Sequence, residues 1–180
     1  MSRMTPERRS ARTDLPTLSV VPMTEQHAEE ICRWRYEPPY DVFNWPDWTR
    51  MVREGAEFGD PGIRERQYAA VVAGSGADGS NPDGPVLVGY AQFFPITGVT
   101  RLGLGLRPDL CGRGLGTALV RTIVEEARRR APQNAIDLEV LTWNVRAIRA
   151  YEKAGFVVAD TYVRPTPCGP SEFHCMEYNG

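Results

Sequence analysis

The sequence predicts an α/β fold of the mixed, α+β kind, with parallel and antiparallel strands in one sheet and helices flanking it. Three observations predict it. Residues 102–116 read LGLGLRPDLCGRGLG, an apolar run that ends at Arg107-Pro108 in a glycine-rich turn and feeds straight into the amphipathic TALVRTIVEEARRR. Upstream, two β-type runs at 67–73 and 86–94 flank a stretch rich in Gly, Asn, Asp and Pro, which reads as a long hairpin loop. Downstream, Ile136, Leu138 and Val140 alternate with Asp137 and Glu139 as a further strand. Hairpin-connected strands leading into strand–helix–strand require a mixed sheet rather than a purely parallel one.

The chain of 180 residues suits one domain with a real core. Residues 1–17 are polar, carry Arg3, Arg8, Arg9 and Arg12 without an apolar period, and read as a flexible tail; residues 18–180 read as a single domain. A net charge of −2 gives no global basic field, so nucleic acid and anionic membrane are not expected partners. No apolar run approaches the roughly 18–20 residues that span a bilayer, and no secretory signal core opens the chain. A cytoplasmic protein is expected, with room for a homodimer. Cys32, Cys111, Cys168 and Cys175 show no close pairing and read as reduced thiols. His27 and His174 lie in no ligand cluster, so no metal is expected.

Taken in order, residues 18–21 form a short strand. Thr24 caps a helix that starts at Glu25 and buries Ala28, Ile31 and Cys32 at helical spacing. Pro38-Pro39 and Pro46 then break the chain within an aromatic segment, RWRYEPPYDVFNWPDW. This segment reads either as a local core under its own domain or as a wall of an acceptor pocket, with Tyr36, Glu37, Tyr40 and Asp41 facing a polar or cationic substrate. Asp47 starts a second short helix reaching towards Phe58. The helix from Gly114 to about Arg130 presents Leu115, Leu119 and Ile123 along one stripe, with Val120, Val124 and Ala127 beside it, as packing on a sheet demands.

Chemistry concentrates in two stretches. In the first, Gly112, Arg113, Gly114, Leu115 and Gly116 lead into a helix N-terminus, where unpaired amides and the positive end of the dipole suit phosphate. It lacks the Gly-Lys-Ser/Thr of a P-loop and the spacing of a dinucleotide fingerprint. In the second, NVRAIRAYEKAGF at 144–156, helical spacing puts Asn144, Ala147 and Tyr151 on one face, and Gly155 ends the helix before another strand starts at Phe156.

The first stretch resembles the acyl-CoA-binding motif of the GNAT superfamily of N-acetyltransferases, Gln/Arg-x-x-Gly-x-Gly/Ala, falling on Cys111 to Gly116 with Cys111 as the one departure. The second resembles the other GNAT signature, Asn-x-x-Ala-x-x-x-Tyr-x-Lys-x-Gly-Phe, at Asn144, Ala147, Tyr151, Lys153, Gly155 and Phe156. The resemblance implies a mostly antiparallel sheet whose strands splay near Leu106 and Thr142. It implies acetyl-CoA as co-substrate, with pantetheine pairing to the backbone of Leu104 and Leu106, past Gly105. Pyrophosphate would rest on the amides from Gly112 to Thr117, Asn144 would contact the pantetheine arm, and Tyr151 would face the sulfur.

The implied activity is acetyl transfer to a primary amine, on a small molecule or on a protein N-terminus or lysine. Such a reaction needs proximity, stabilisation of the oxyanion and a proton for the departing thiolate. A backbone N–H near Leu106 is the expected oxyanion donor and Tyr151 the expected acid. The general base stays open among Glu37, Asp41, Glu139, His174 and water, since Gly103 and Gly105 stand where many relatives place a carboxylate. A catalytically silent CoA sensor or scaffold is the alternative.

Overall fold

The structure, a computed structural model, describes residues 15–74 and 84–180. Most of the expected tail and most of the expected hairpin loop lie outside these residues. In chain order the elements are β1 (Leu18–Pro22), α1 (Glu25–Arg33), α2 (Trp48–Glu54), α3 (Pro61–Gln67), β2 (Tyr68–Ala73), β3 (Val86–Ile96) and β4 (Val99–Leu106). Then follow α4 (Leu115–Arg130), β5 (Ala135–Leu141), α5 (Val145–Ala154), β6 (Phe156–Thr166) and β7 (Gly169–Tyr178).

All seven strands join one sheet in the order β1-β2-β3-β4-β5-β7-β6. Every neighbouring pair is antiparallel except β4 and β5, which run parallel with α4 as the crossover. The mixed, mostly antiparallel sheet is therefore as expected. Its parallel seam is short: pairing runs from Val99 opposite Ala135 to Leu102 opposite Leu138 and stops there, although β4 continues to Leu106 and β5 to Leu141. The two strands part above that point.

Two cores hold the sheet between helices. On one face α4 buries Leu119, Val120, Ile123, Val124 and Ala127 against Ala69, Val71, Phe93, Leu102, Leu138 and Met176. On the other, Ile31 and Cys32 of α1 and Met51 of α2 pack with Phe58 over Tyr68, Ala70 and Val72. At roughly 25 cal/mol per Å² of apolar surface, each fully buried Leu or Ile contributes about 1.5–3 kcal/mol, so these faces fix which way the sheet turns.

Local signals explain the helix ends. Thr24 accepts from the His27 N–H at 3.1 Å, and the His27 ring accepts from the Thr24 N–H, a reciprocal cap. Asp47 accepts from Arg50 N–H at 3.0 Å at the start of α2. The helix α3 was not expected from the sequence; Asp60 caps it by accepting from Ile63 N–H at 2.8 Å, with Pro61 in the first position, where a missing N–H costs nothing. β3 also runs two residues past its expected end at Phe94, through Pro95 opposite Thr100 to Ile96.

Candidate active site

The parting of β4 from β5 opens a cleft of about 800 Å³ between the glycine turn, α5 and the aromatic segment after α1. Successive strand residues point their backbone groups to alternate sides. The Arg107 N–H bonds back to Val88 on β3 at 2.8 Å, so Leu104 and Leu106 direct theirs towards the gap. β5 does not meet them there, because its pairing ends at Leu102. The Leu106 carbonyl instead accepts the Tyr36 hydroxyl at 2.9 Å. Leu104, and Leu106 through its N–H, thus form an internal edge with no partner strand.

At the top of the gap the chain turns into α4. Gly112 and Gly114 adopt φ of +77° and +84°, a left-handed backbone that favours glycine, and a Cβ on either would meet nothing within 4 Å. The space beside their Cα atoms is therefore open. Gly114 is the N-cap of α4 and no side chain caps the helix, so the first-turn amides, those of Gly116 and Thr117 among them, remain available to an anion. Gly112, Gly114, Gly116 and Thr117 line the cleft. Arg113 and Leu115 do not: Arg113 is exposed and its N–H leans back to the Leu110 carbonyl at 3.4 Å, while Leu115 is buried. Cys111 lines the wall, its thiol directed at the Leu106 and Arg107 carbonyls and its pKa raised by burial.

Below the turn, α5 brings Asn144, Ala147 and Tyr151 to the same cleft. Asn144 is the N-cap rather than a residue within the helix, and its Oδ1 accepts from the Ala147 N–H at 3.3 Å. Capping explains the carbonyl end of this buried side chain and leaves its NH₂ for a ligand. Tyr151 is half-buried, with its ring 6.2 Å from Phe156. Burial, and secondarily the Tyr90 phenol, push its pKa well above the usual tyrosine value, so it keeps its proton. Arg149 and Lys153, exposed and four residues apart on α5, also line the cleft.

Of the four residues expected in an acceptor wall, one lines the cleft. Tyr36 lines the cleft, but Glu37 is exposed and outside its lining. Tyr40 also stands outside that lining; its ring packs tilted against Trp143 at 5.6 Å under the Arg146 guanidinium. Trp45 packs edge-on against Phe58 at 4.8 Å in the core and also lines the cleft with Phe43.

Of the open base candidates only Glu139 reaches the lining. Its Oε1 accepts from Arg101 at 2.8 Å and from the Tyr162 hydroxyl, and its Oε2 is ion-paired with Arg164 at 2.8 Å. His174 is bonded to Thr161 at 2.7 Å on β7, and Asp41 is exposed in a single 3-10 turn. Gly105 has a reason to lack a side chain: a Cβ there would lie 2.3 Å from the Tyr90 ring, which fills the space above it.

Tyr90, Gln92, Arg164 and Phe173 also line the cleft and were not found from the sequence. They come from three strands, and only the sheet register brings them together. Arg149 and Lys153 were findable, since spacing of four on the helix of Tyr151 sets two cations along one side.

Comparison with known proteins gives a consistent picture. The model of the acetyltransferase (GNAT) family matches residues 28–156. A kanamycin resistance protein of Rhizobium radiobacter is 44% identical over 62 residues, covering 34% of this chain and 56% of that protein, so the chain spans little more than half of that relative. Among solved structures, AAC(6')-Ib, an aminoglycoside acetyltransferase, in complex with paromomycin and acetyl-CoA is 25% identical with a TM-score of 0.57, over 88% of this chain and 92% of that one. The ribosomal-protein-S18-alanine N-acetyltransferase of Escherichia coli shares the fold, with a TM-score of 0.58 at 21% identity over 90% of this chain and 93% of that one.

Proposed function

The chain belongs to the acetyltransferase (GNAT) family, and on that premise we propose that it transfers an acetyl group from acetyl-CoA to a primary amine held in the same cleft. The observation that carries this reading is the bare edge of Leu104 and Leu106 running up to an uncapped helix N-terminus, with Tyr151 on the facing wall. An extended arm ending in phosphates fits that arrangement: backbone groups to pair with, then open glycine amides.

When bound, acetyl-CoA would supply an acyl group activated as a thioester. The chain's own residues do the rest. The first-turn amides of α4 bind phosphate, and the Leu104 and Leu106 backbone orients the arm beside them. The Leu106 N–H stabilises negative charge that develops on the acyl oxygen, a contribution of a few kcal/mol for such donors. Tyr151 holds a proton at its hydroxyl for the departing sulfur. Its raised pKa does not disqualify it, since the burial that disfavours a phenolate also disfavours a thiolate, as it does for Cys111 in the same wall. Amine and thioester held together gain the usual advantage of proximity, several orders of magnitude.

Calorimetry with acetyl-CoA and a thiol-release assay with amines test the reading. Gly114→Val puts a β-branched residue at φ +84°, and acetyl-CoA affinity should fall by about tenfold or more, about 1.4 kcal/mol. Undiminished affinity in a folded variant would remove the phosphate assignment. Binding without thiol release from any amine would favour a silent CoA sensor.

A further inference from the structure

The charges lining the cleft are unevenly distributed. Arg146, Arg149 and Lys153 belong to α5, beside the glycine turn, where phosphate is proposed to sit. At the opposite end the lining carries one carboxylate, Glu139, and one further cation, Arg164. Glu139 has no charge to spare, because Arg101 and Arg164 both pair with it. Arg101 is in turn committed to Asp137 through two bonds of 3.0 and 2.7 Å. Two guanidinium groups and two carboxylates therefore balance there.

Arg164 is the member with donors to spare. Its Nη1 forms the ion pair with Glu139, and its side chain is 48% exposed. The guanidinium carbon lies 4.2 Å from the Phe173 ring centroid, a contact that does not use its N–H groups. A guanidinium has five N–H donors in a fork that matches a carboxylate. Those of Arg164 meet no other partner among the described residues.

A polycation would enter this end against Arg164 and find no free carboxylate. From this we infer that the acceptor is an amine that also bears a carboxylate, an amino acid or a short peptide, with the carboxylate held by Arg164 against Phe173. The inference rests on the acetyl-transfer reading above and narrows its substrate class, away from the aminoglycosides of the relatives. In the reaction the amine nitrogen forms the new N–C bond and the C–S bond breaks with its electron pair on sulfur. One amine proton leaves to water and sulfur takes a proton, which yields an N-acetyl acid and free CoA.

The test is thiol release at saturating acetyl-CoA across α- and ω-amino acids, dipeptides, their C-terminal amides, kanamycin and spermidine. Acids should exceed their amides in kcat/KM by about tenfold or more, the effect of a lost charge-assisted contact. Arg164→Gln should erase that preference through KM, Arg164→Lys should retain part of it, and acetyl-CoA affinity by calorimetry should be the same in all three proteins. Amides as good as acids, or kanamycin or spermidine as the best acceptor, overturns the inference. So does intact acetyl-CoA binding with no acid acetylated. Loss of acetyl-CoA binding in the wild-type protein would instead overturn the reading beneath it.

Discussion

In the proposed reaction Tyr151 is the proton donor, and its neighbours define what it can do. Phenylalanine at this position keeps the ring against Phe156 and removes only the hydroxyl. Tyr151→Phe should bind acetyl-CoA normally and lose about 100-fold in kcat, within the range for removal of a general acid. Full kcat with chemistry rate-limiting would make water the proton donor. Because burial raises the phenol well above the usual value, the alkaline limb of the pH–rate profile belongs to another group and should keep its midpoint in the variant. Gly105 and Tyr90 show the same dependence on neighbours. The glycine that looked like a missing carboxylate is the clearance for an aromatic ring, itself held by the Trp45 indole N–H at 3.2 Å.

At the scale of the element, α5 combines two jobs on adjacent sides. One side presents Ala147 and Tyr151 to the gap, and beside it Arg149 and Lys153 add two exposed cations to the cleft. Neither cation forms an ion pair with another described residue. Replacing both with Gln should weaken CoA by about tenfold and flatten the salt dependence of binding, while dephospho-CoA loses less, if these side chains meet the ribose phosphate. Equal losses for the two ligands would assign them to the pyrophosphate. Helices and strands with a sustained period were legible in the sequence, as were the glycine turn and the Asn144–Tyr151 spacing. The helix α3 was missed because seven residues are too few to display an apolar period, though Asp60-Pro61 marked its start. Asn144 was assigned to a helix face because spacing alone cannot separate a cap from a first turn. Arg164 and Phe173 left no local signal at all; a pair made by strand register is invisible until the strands are aligned.

The whole molecule buries several phenols between sheet and helices, and this couples stability to alkaline pH. Burial pushes Tyr90 up to about 12 and moves Tyr36, Tyr68 and Tyr151 further in the same direction. Above about pH 10 the unfolded chain gives up these protons while the folded chain keeps them, so unfolding releases protons and stability falls as pH rises. The contribution is complete below about pH 10, and each such group then removes about 1.4 kcal/mol per pH unit until its folded pKa is passed. Urea midpoints should hold steady up to about pH 9 and drop steeply by about pH 11. An unchanged midpoint across that interval would mean that these phenols ionise in the folded protein as readily as in the unfolded chain.

The short seam between β4 and β5 also bears on how the protein avoids its own kind. A strand edge with unpaired amides and carbonyls is a template for another chain, and proteins normally shorten, charge or cover such edges. Here β4 and β5 face each other unpaired above Leu102 and Leu138, where they are joined, and Tyr36 takes the Leu106 carbonyl. A foreign sheet cannot enter a wedge closed at its base, whereas a single extended arm can. On the proposed reading, the wedge that admits one acyl-CoA arm is too narrow at its base for a second sheet.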